Sequence, residues 1–221
     1  MNTFLNRRDA GRMLATRLAD YRNRSDVTVL AMPRGGVPVA YEVARALRVP
    51  LDLFLVEKVY EPGRDEVQIG TITSGGYEAV DTAAIAAHGV DRRVADRELA
   101  RARQDLAYRE RIYRGTRSLP DIHDRTILLV YDGMVTGGSM VAAVAALRAF
   151  GARRVIVVAP VASREARDAV VGVADACVCL MTADPFYRIG VWYDDYAPVS
   201  DASVLMLLDS AARDLSDAAA A

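Results

Sequence analysis

The residues best suited to chemistry form one short run, Thr126-Ile-Leu-Leu-Val-Tyr-Asp-Gly-Met-Val-Thr-Gly-Gly-Ser-Met140. An apolar strand ends at Tyr131 and Asp132, and a Thr-Gly-Gly-Ser turn then opens a helix. Such an arrangement binds anions. Gly133, Gly137 and Gly138 let the backbone approach a ligand closely. The first N–H groups of a helix have no intrahelical acceptor, and the helix dipole adds favourable potential. The hydroxyls of Thr136 and Ser139 can donate to phosphate oxygens. Asp132 can accept from sugar hydroxyls or hold Mg²⁺ through water. A tight strand-to-helix turn with no ligand uses the same residue types, and spacing alone leaves that alternative open. A Walker loop is excluded: Gly133 and Gly138 are spaced correctly, but Ser139 follows directly and the lysine is missing. Neither a Gly-x-Gly-x-x-Gly fingerprint nor a Gly-x-Ser-x-Gly elbow occurs.

Two further features bear on an anion. Pro33-Arg34-Gly35-Gly36 ends the first apolar run, Val27–Met32. Open α/β sheets bind ligands at strand C-termini, where Arg34 and the N–H groups of Gly35 and Gly36 can meet a diphosphate; the alternative is a solvated turn. Of 28 basic residues only Lys58 is a lysine, in a chain that otherwise uses arginine. A compact ammonium just past a strand suits a phosphate, and chance survival is the alternative.

Val130–Met140 resembles the phosphoribosyl-pyrophosphate (PRPP) signature of type I phosphoribosyltransferases: an apolar strand, two acids, then a Thr-Gly-small-Thr/Ser turn. Pro33–Gly36 resembles the family's pyrophosphate loop. The chain from Arg7 to Ser200 is similar to a bacterial branch of predicted phosphoribosyltransferases. The resemblance implies a pentosyltransferase that moves 5-phosphoribosyl from PRPP to a nitrogen base or amine with Mg²⁺. It places the 5′-phosphate on Thr136, Gly137, Gly138 and Ser139, the ribose on Asp132, and pyrophosphate on Arg34 and Lys58 with the N–H groups of Gly35 and Gly36 beside Arg34; Tyr131 and Gly133 are further PRPP-binding candidates. The segment Asp184–Val199 stands where the family builds part of its base-binding hood. Phe186, Tyr187 and Trp192 are therefore base-stacking candidates, and Asp132, Asp194 and Asp195 metal candidates. Aromatics packing a sheet edge and solvated loop acids are the alternatives.

The chain departs from the pattern in two places. Tyr131 replaces the first acid, adding bulk and a hydroxyl but no charge. This opens a second reading, a catalytically weak module that binds PRPP or a nucleotide for regulation. Val135 stands where purine-salvage enzymes place an aspartate for the purine N7, which argues against that route.

The elements that must position these residues read as one doubly wound α/β domain. The chain has 221 residues, a net charge of −1, 52% hydrophobic and 26% charged residues. It suits one soluble domain with appendages, with the cytoplasm as the default compartment. The near-neutral balance argues against nucleic acid, since acids interleave the arginines of 91–117. No apolar run reaches the length of a membrane span. Cys177 and Cys179 can form neither a disulfide framework nor a zinc site and read as small hydrophobes. A homodimer is compatible with the composition.

Apolar spacing predicts helices over Arg7–Arg22, from Val39 to before Pro50, and over Asp91–Tyr113, Ser139–Phe150, Glu165–Val173 and Asp201–Leu215, with a frayed tail after Asp217. It predicts strands at Val27–Met32, Leu51–Val56, Thr126–Val130, Val155–Ala159 and Ala176–Met181. Together these imply a mostly parallel five-stranded sheet covered on both faces, with an insertion at about 57–120. Within it, Glu57–Val80 reads as a hairpin or a mobile cover.

Overall fold

The computed structural model describes residues 3–220. In chain order the elements are α1 (Arg7–Arg17), β1 (Val27–Ala31), α2 (Gly36–Leu47), β2 (Leu51–Leu53), β3 (Val56–Glu61), β4 (Arg64–Thr73), β5 (Glu78–Val80), α3 (Thr82–His88) and α4 (Arg92–Arg114). They continue with β6 (Thr126–Val130), α5 (Gly138–Ala149), β7 (Arg154–Ser163), α6 (Arg164–Val171), β8 (Ala176–Ala183) and α7 (Asp201–Ala220). The chain divides into two compact units, one built from 1–54 and 120–221 and the other from 55–119.

The larger unit holds a five-stranded parallel sheet in the order β2-β1-β6-β7-β8. Every residue of β1 and β6 is buried, as their uninterrupted apolar runs require of strands covered on both faces. From β1 the chain winds outward through α2 to β2, and from β6 it winds the opposite way through α5 and α6 to β7 and β8. The winding therefore reverses between β1 and β6, the point where open α/β sheets form a ligand crevice. Ala31 pairs with Val130 at the ends of these strands, so the loops that follow them emerge side by side.

The hairpin expected within Glu57–Val80 is present as β3 and β4 of the smaller unit. That unit contains an antiparallel sheet, β3-β4-β5, with α3 and α4. Ala95, Leu99, Ala102, Leu106 and Tyr113 of α4 are buried, the face that apolar spacing selects. The expected strand Leu51–Val56 is two elements: β2 closes the parallel sheet at Leu53, and Val56 already pairs with Thr73 in the antiparallel one. α1 stops at Arg17, and a 3-10 turn at Ala19–Tyr21 takes the rest of the expected helix. α7 continues through the alanine tail to Ala220, as strong helix formers permit.

Cys177 and Cys179 are free and half-buried, and burial pushes the Cys179 thiol up to about 11, so it stays protonated. No described helix is long and apolar enough to cross a membrane.

Asp26, just before β1, accepts from Arg24 at 2.8 Å and from the Thr126 hydroxyl at 3.3 Å, and it also pairs with Arg153. The hydrogen bond from Arg24 is the main cause that holds its carboxyl down at about 2. A depressed carboxyl stabilises the fold above its unfolded value of about 4 and loses that contribution as the pH falls toward the folded value. Because Asp26 is partly exposed, screening limits the effect to roughly 1 kcal/mol. Asp26→Asn is expected to lower the melting temperature at neutral pH and to converge with wild type near the folded value. Parallel melting curves across that window would remove Asp26 from the acid response.

Candidate anion site at the β1–β6 switch point

The loop after β6 is held from one side by β7. Met134 donates to Val161 O at 3.0 Å, and Ser163 N donates back to Met134 O at 2.9 Å. This extends the sheet pairing by one bridge and fixes where the turn into α5 begins. Gly137 then adopts φ 76° and starts α5 with no side-chain cap. The N–H groups of Gly138, Ser139 and Met140 consequently lack intrahelical acceptors and face outward. A Cβ on Gly137 would lie 2.9 Å from Ala166 O, so glycine is required there by both conformation and space.

A cavity of about 170 Å³ opens over this helix start, walled by Tyr131, the run Gly133–Met140 and Ile189. All of the phosphate-binding residues expected on the second loop line it. Ile189 was not expected: its side chain covers Gly133, where a Cβ would meet Ile189 Cγ2 at 2.6 Å. Tyr131 is half-buried at the cavity wall, and burial, followed by the charge of Asp132, raises its phenol pKa. The phenol is therefore a neutral donor at ordinary pH.

The structure brings the first loop against the second. A Cβ on Gly36 would lie 2.8 Å from Val130 O, and one on Gly35 would lie 2.0 Å from Asp132 Oδ2. These two glycines serve loop-to-loop packing. The Pro33–Arg34 peptide is cis. Arg34 is exposed, and its guanidinium is 3.7 Å from Asp201 at the start of α7.

Asp132 is not among the residues that wall the cavity. It is 2% exposed, and Oδ2 accepts from Arg7 Nε at 2.8 Å and from the Tyr196 hydroxyl at 2.9 Å. Its backbone carbonyl accepts from the Tyr193 hydroxyl at 2.6 Å. Arg7 also donates to Ala197 O at 2.9 Å, and its guanidinium lies 3.8 Å from the centre of the Tyr196 ring. Burial and the Asp132 charge push the Tyr196 phenol up to about 12 and raise that of Tyr193 further. Both remain donors. Arg7 and the two tyrosines were not singled out in the sequence. The tyrosines' one signal was the aromatic and acidic character of 184–199, and Arg7 gave none.

Of the remaining candidates in the larger unit, none is among the residues that wall the cavity. Phe186 and Trp192 stack on each other at 6.0 Å and pack against the buried cluster of Phe4, Ala10, Val161 and Tyr193. Tyr187 is 82% exposed. Asp194 accepts from Thr3 Oγ1 at 2.6 Å, and Asp195 accepts from Ala197 N at 2.9 Å. With Asp132 tied to Arg7, the three candidate metal ligands form no cage, and among the described residues no three His, Cys, Asp or Glu side chains gather as one. The donor set therefore does not fit a protein-built Mg²⁺ site. Lys58 lies on β3 of the smaller unit, opposite Thr71 of β4.

Residues 4–193 match the phosphoribosyl transferase domain family. The chain is similar to TT1426 from Thermus thermophilus, with 39% identity and a TM-score of 0.81 over 93% of this chain and 97% of that one. A Mycobacterium tuberculosis protein named provisionally as a phosphoribosyl transferase is 36% identical over 221 residues, 100% of this chain. The chain spans 49% of that relative's length. AQ2163 of Aquifex aeolicus, at 11% identity, shares the fold with a TM-score of 0.53 over 91% of this chain and 86% of that one. Over nearly its whole length, including both loops at the switch point, this chain belongs to the phosphoribosyl transferase domain family.

Proposed function

We propose that the protein transfers 5-phosphoribosyl from PRPP to a nitrogen base or amine. The observation that supports this most is the uncapped start of α5 opening into a cavity walled by Tyr131 and Gly133–Met140. Outward N–H groups, two hydroxyls and the helix dipole suit the 5′-phosphate. In the reaction the acceptor nitrogen forms a bond to C1 of the ribose, and the C1–O bond to pyrophosphate breaks. Pyrophosphate leaves with the electron pair, and the acceptor's proton passes to solvent. The protein's part is to position the sugar and to stabilise leaving-group charge, for which Arg34 is the exposed cation beside the loop. Lys58 is kept as a further pyrophosphate contact on the family pattern. The direct test is a pyrophosphate-release screen with PRPP, Mg²⁺ in the buffer, and a panel of bases and amines. Calorimetry with PRPP should show binding even where no acceptor in the panel is used. No binding at millimolar PRPP would sink the reading.

Tyr131 favours a second reading, a PRPP- or nucleotide-binding regulatory module with weak turnover. A carboxylate in its place would accept charge-assisted bonds from ribose hydroxyls that a phenol cannot match. Such a bond is worth on the order of 1.5–3 kcal/mol, or roughly ten- to hundredfold in affinity. Tyr131→Asp is expected to raise PRPP affinity, transfer rate, or both. If wild type turns over briskly and Tyr131→Asp slows it, the phenol is an adapted part of the active site and the regulatory reading falls.

A further inference from the structure

We propose that Arg7 is a positioning residue of the PRPP site: with Tyr196 it holds one oxygen of Asp132, Oδ2, and so leaves the other, Oδ1, set for the ribose hydroxyls. This rests on the loop after β6 being the PRPP site, with Asp132 as the carboxylate that meets the sugar. Arg7, Arg8 and Arg12 all stand on α1, and only Arg7 is drawn inward. Arg8 and Arg12 are each 51% exposed and turn to Glu42 and Asp9. The side chains of Arg7 and Asp132 are 10% and 4% exposed, and Nε lies 2.8 Å from Oδ2. The Tyr196 hydroxyl reaches the same oxygen at 2.9 Å.

Oδ1 is the oxygen left over. Among the described residues no donor reaches it, and it is not one of the buried side-chain atoms that lack a partner. Solvent therefore touches Oδ1, and it is the oxygen available to a sugar hydroxyl. With Tyr131 in place of the first acid, Asp132 is also the only carboxylate of the motif that can meet the ribose. The carboxyl group of an aspartate turns in a broad, roughly two-fold well, so an oxygen presented to a ligand has to be held by its neighbour.

Arg7 is built to hold it. A guanidinium is planar and rigid, and this one is fixed at two further points. Nη1 donates to Ala197 O at 2.9 Å, and the guanidinium carbon lies 3.8 Å from the centre of the Tyr196 ring. The backbone around it is pinned as well. Phe4 N donates to Trp192 O at 2.9 Å, and the Asn6 side chain caps α1 by accepting from Asp9 N at 3.0 Å. The charge of Arg7 also offsets that of Asp132, which would otherwise repel a phosphate at the start of α5.

Calorimetry with two probes separates this role from a merely structural one. Ribose 5-phosphate carries the ring hydroxyls, and tetrahydrofurfuryl phosphate is the same ring ester without them. Wild type is expected to prefer ribose 5-phosphate by roughly tenfold, as a charge-assisted bond allows. Arg7→Met should remove most of that preference while binding tetrahydrofurfuryl phosphate within about twofold of wild type. Asp132→Asn should remove it too, and the double variant should do no more than either single one, since both act through one carboxylate. Tyr196→Phe removes one donor to Oδ2 and leaves no buried charge bare, so it should narrow the preference by a smaller factor, and it decides the matter if Arg7→Met does not fold. An unchanged preference in the deciding variant, or equal loss of both probes, overturns the proposal. A wild type that binds both probes equally has no hydroxyl contact to position and overturns it as well. If wild type binds neither probe nor PRPP, the proposed function itself fails and this inference with it; if only the role of Arg7 is wrong, wild type still binds PRPP.

Discussion

Gly35→Ala is expected to cost about 3 kcal/mol of folding stability, the upper end of the usual penalty for overpacking a filled site. The new methyl would stand 2.0 Å from Asp132 Oδ2 and 2.6 Å from its Cγ. An overlap of that size is relieved cheaply only when the neighbour is the free end of a flexible chain. Asp132 is not free, because moving its carboxylate breaks the buried pair with Arg7, and an uncompensated buried charge costs about 3–5 kcal/mol. The first loop must shift instead, or the pair must open. Gly63→Ala supplies an internal comparison. Gly63 has φ 78° with nothing within 4 Å of a built Cβ, so only backbone strain opposes the change, about 1 kcal/mol. Denaturant midpoints at unchanged m-value measure both. Equal losses at the two positions would mean that Asp132 yields easily and is no anchor.

Gly137→Ala should lower PRPP affinity at least tenfold, which corresponds to about 1.4 kcal/mol. Two independent effects act together. The residue sits at φ 76°, which alanine adopts only with strain, and the added methyl would stand 2.9 Å from Ala166 O. Relief of either tilts the first turn of α5 and with it the outward N–H groups that cradle the anion. Thr136→Val removes one hydroxyl and leaves the backbone in place, so its effect should be smaller, about 0.5–1 kcal/mol, the lower part of the range for a single hydrogen bond. If both variants bind PRPP as wild type does, the ligand sits elsewhere. If Thr136→Val is the worse of the two, side chains dominate over backbone in the cradle.

The strands and most helices of the larger unit were legible because their signals are local. Thr126–Val130 is apolar without interruption since both sheet faces are covered, and Gly137 marks the turn because its positive φ and the nearby Ala166 carbonyl leave no place for a side chain. Leu51–Val56 misled because an apolar run does not show where a chain leaves one sheet for another; the break after Leu53 is set by pairing partners. Thr82–His88 passed unnoticed as a helix because none of its residues is buried, so no apolar stripe betrays it. The glycine-rich loops after β1 and β6 could be read from residue type and position, but not that Gly35 lies on Asp132. Arg7 was the least legible of all. One arginine among many at a helix start reads as a solvated charge, and its partner is 125 residues away.

That separation has a consequence for how the protein is made. Phe4 N donates to Trp192 O at 2.9 Å, Asp194 N donates to Phe4 O at 2.8 Å, and Arg7 reaches Ala197. The partners of Phe4 and Arg7 thus leave the ribosome long after them, Ala197 lying 190 residues beyond Arg7. At roughly 5–20 residues per second, the nascent chain carries an unmatched Arg7 and an uncovered Phe4 for on the order of ten to forty seconds. β1, α2 and β6 can associate during that interval, but the floor beneath the anion loop cannot close until Tyr193 and Tyr196 are translated. Ribosome-stalled chains ending before Trp192 should therefore leave the N-terminal segment open to protease, and stalled chains with a C-terminal linker long enough to bring Ser200 out of the exit tunnel should protect it.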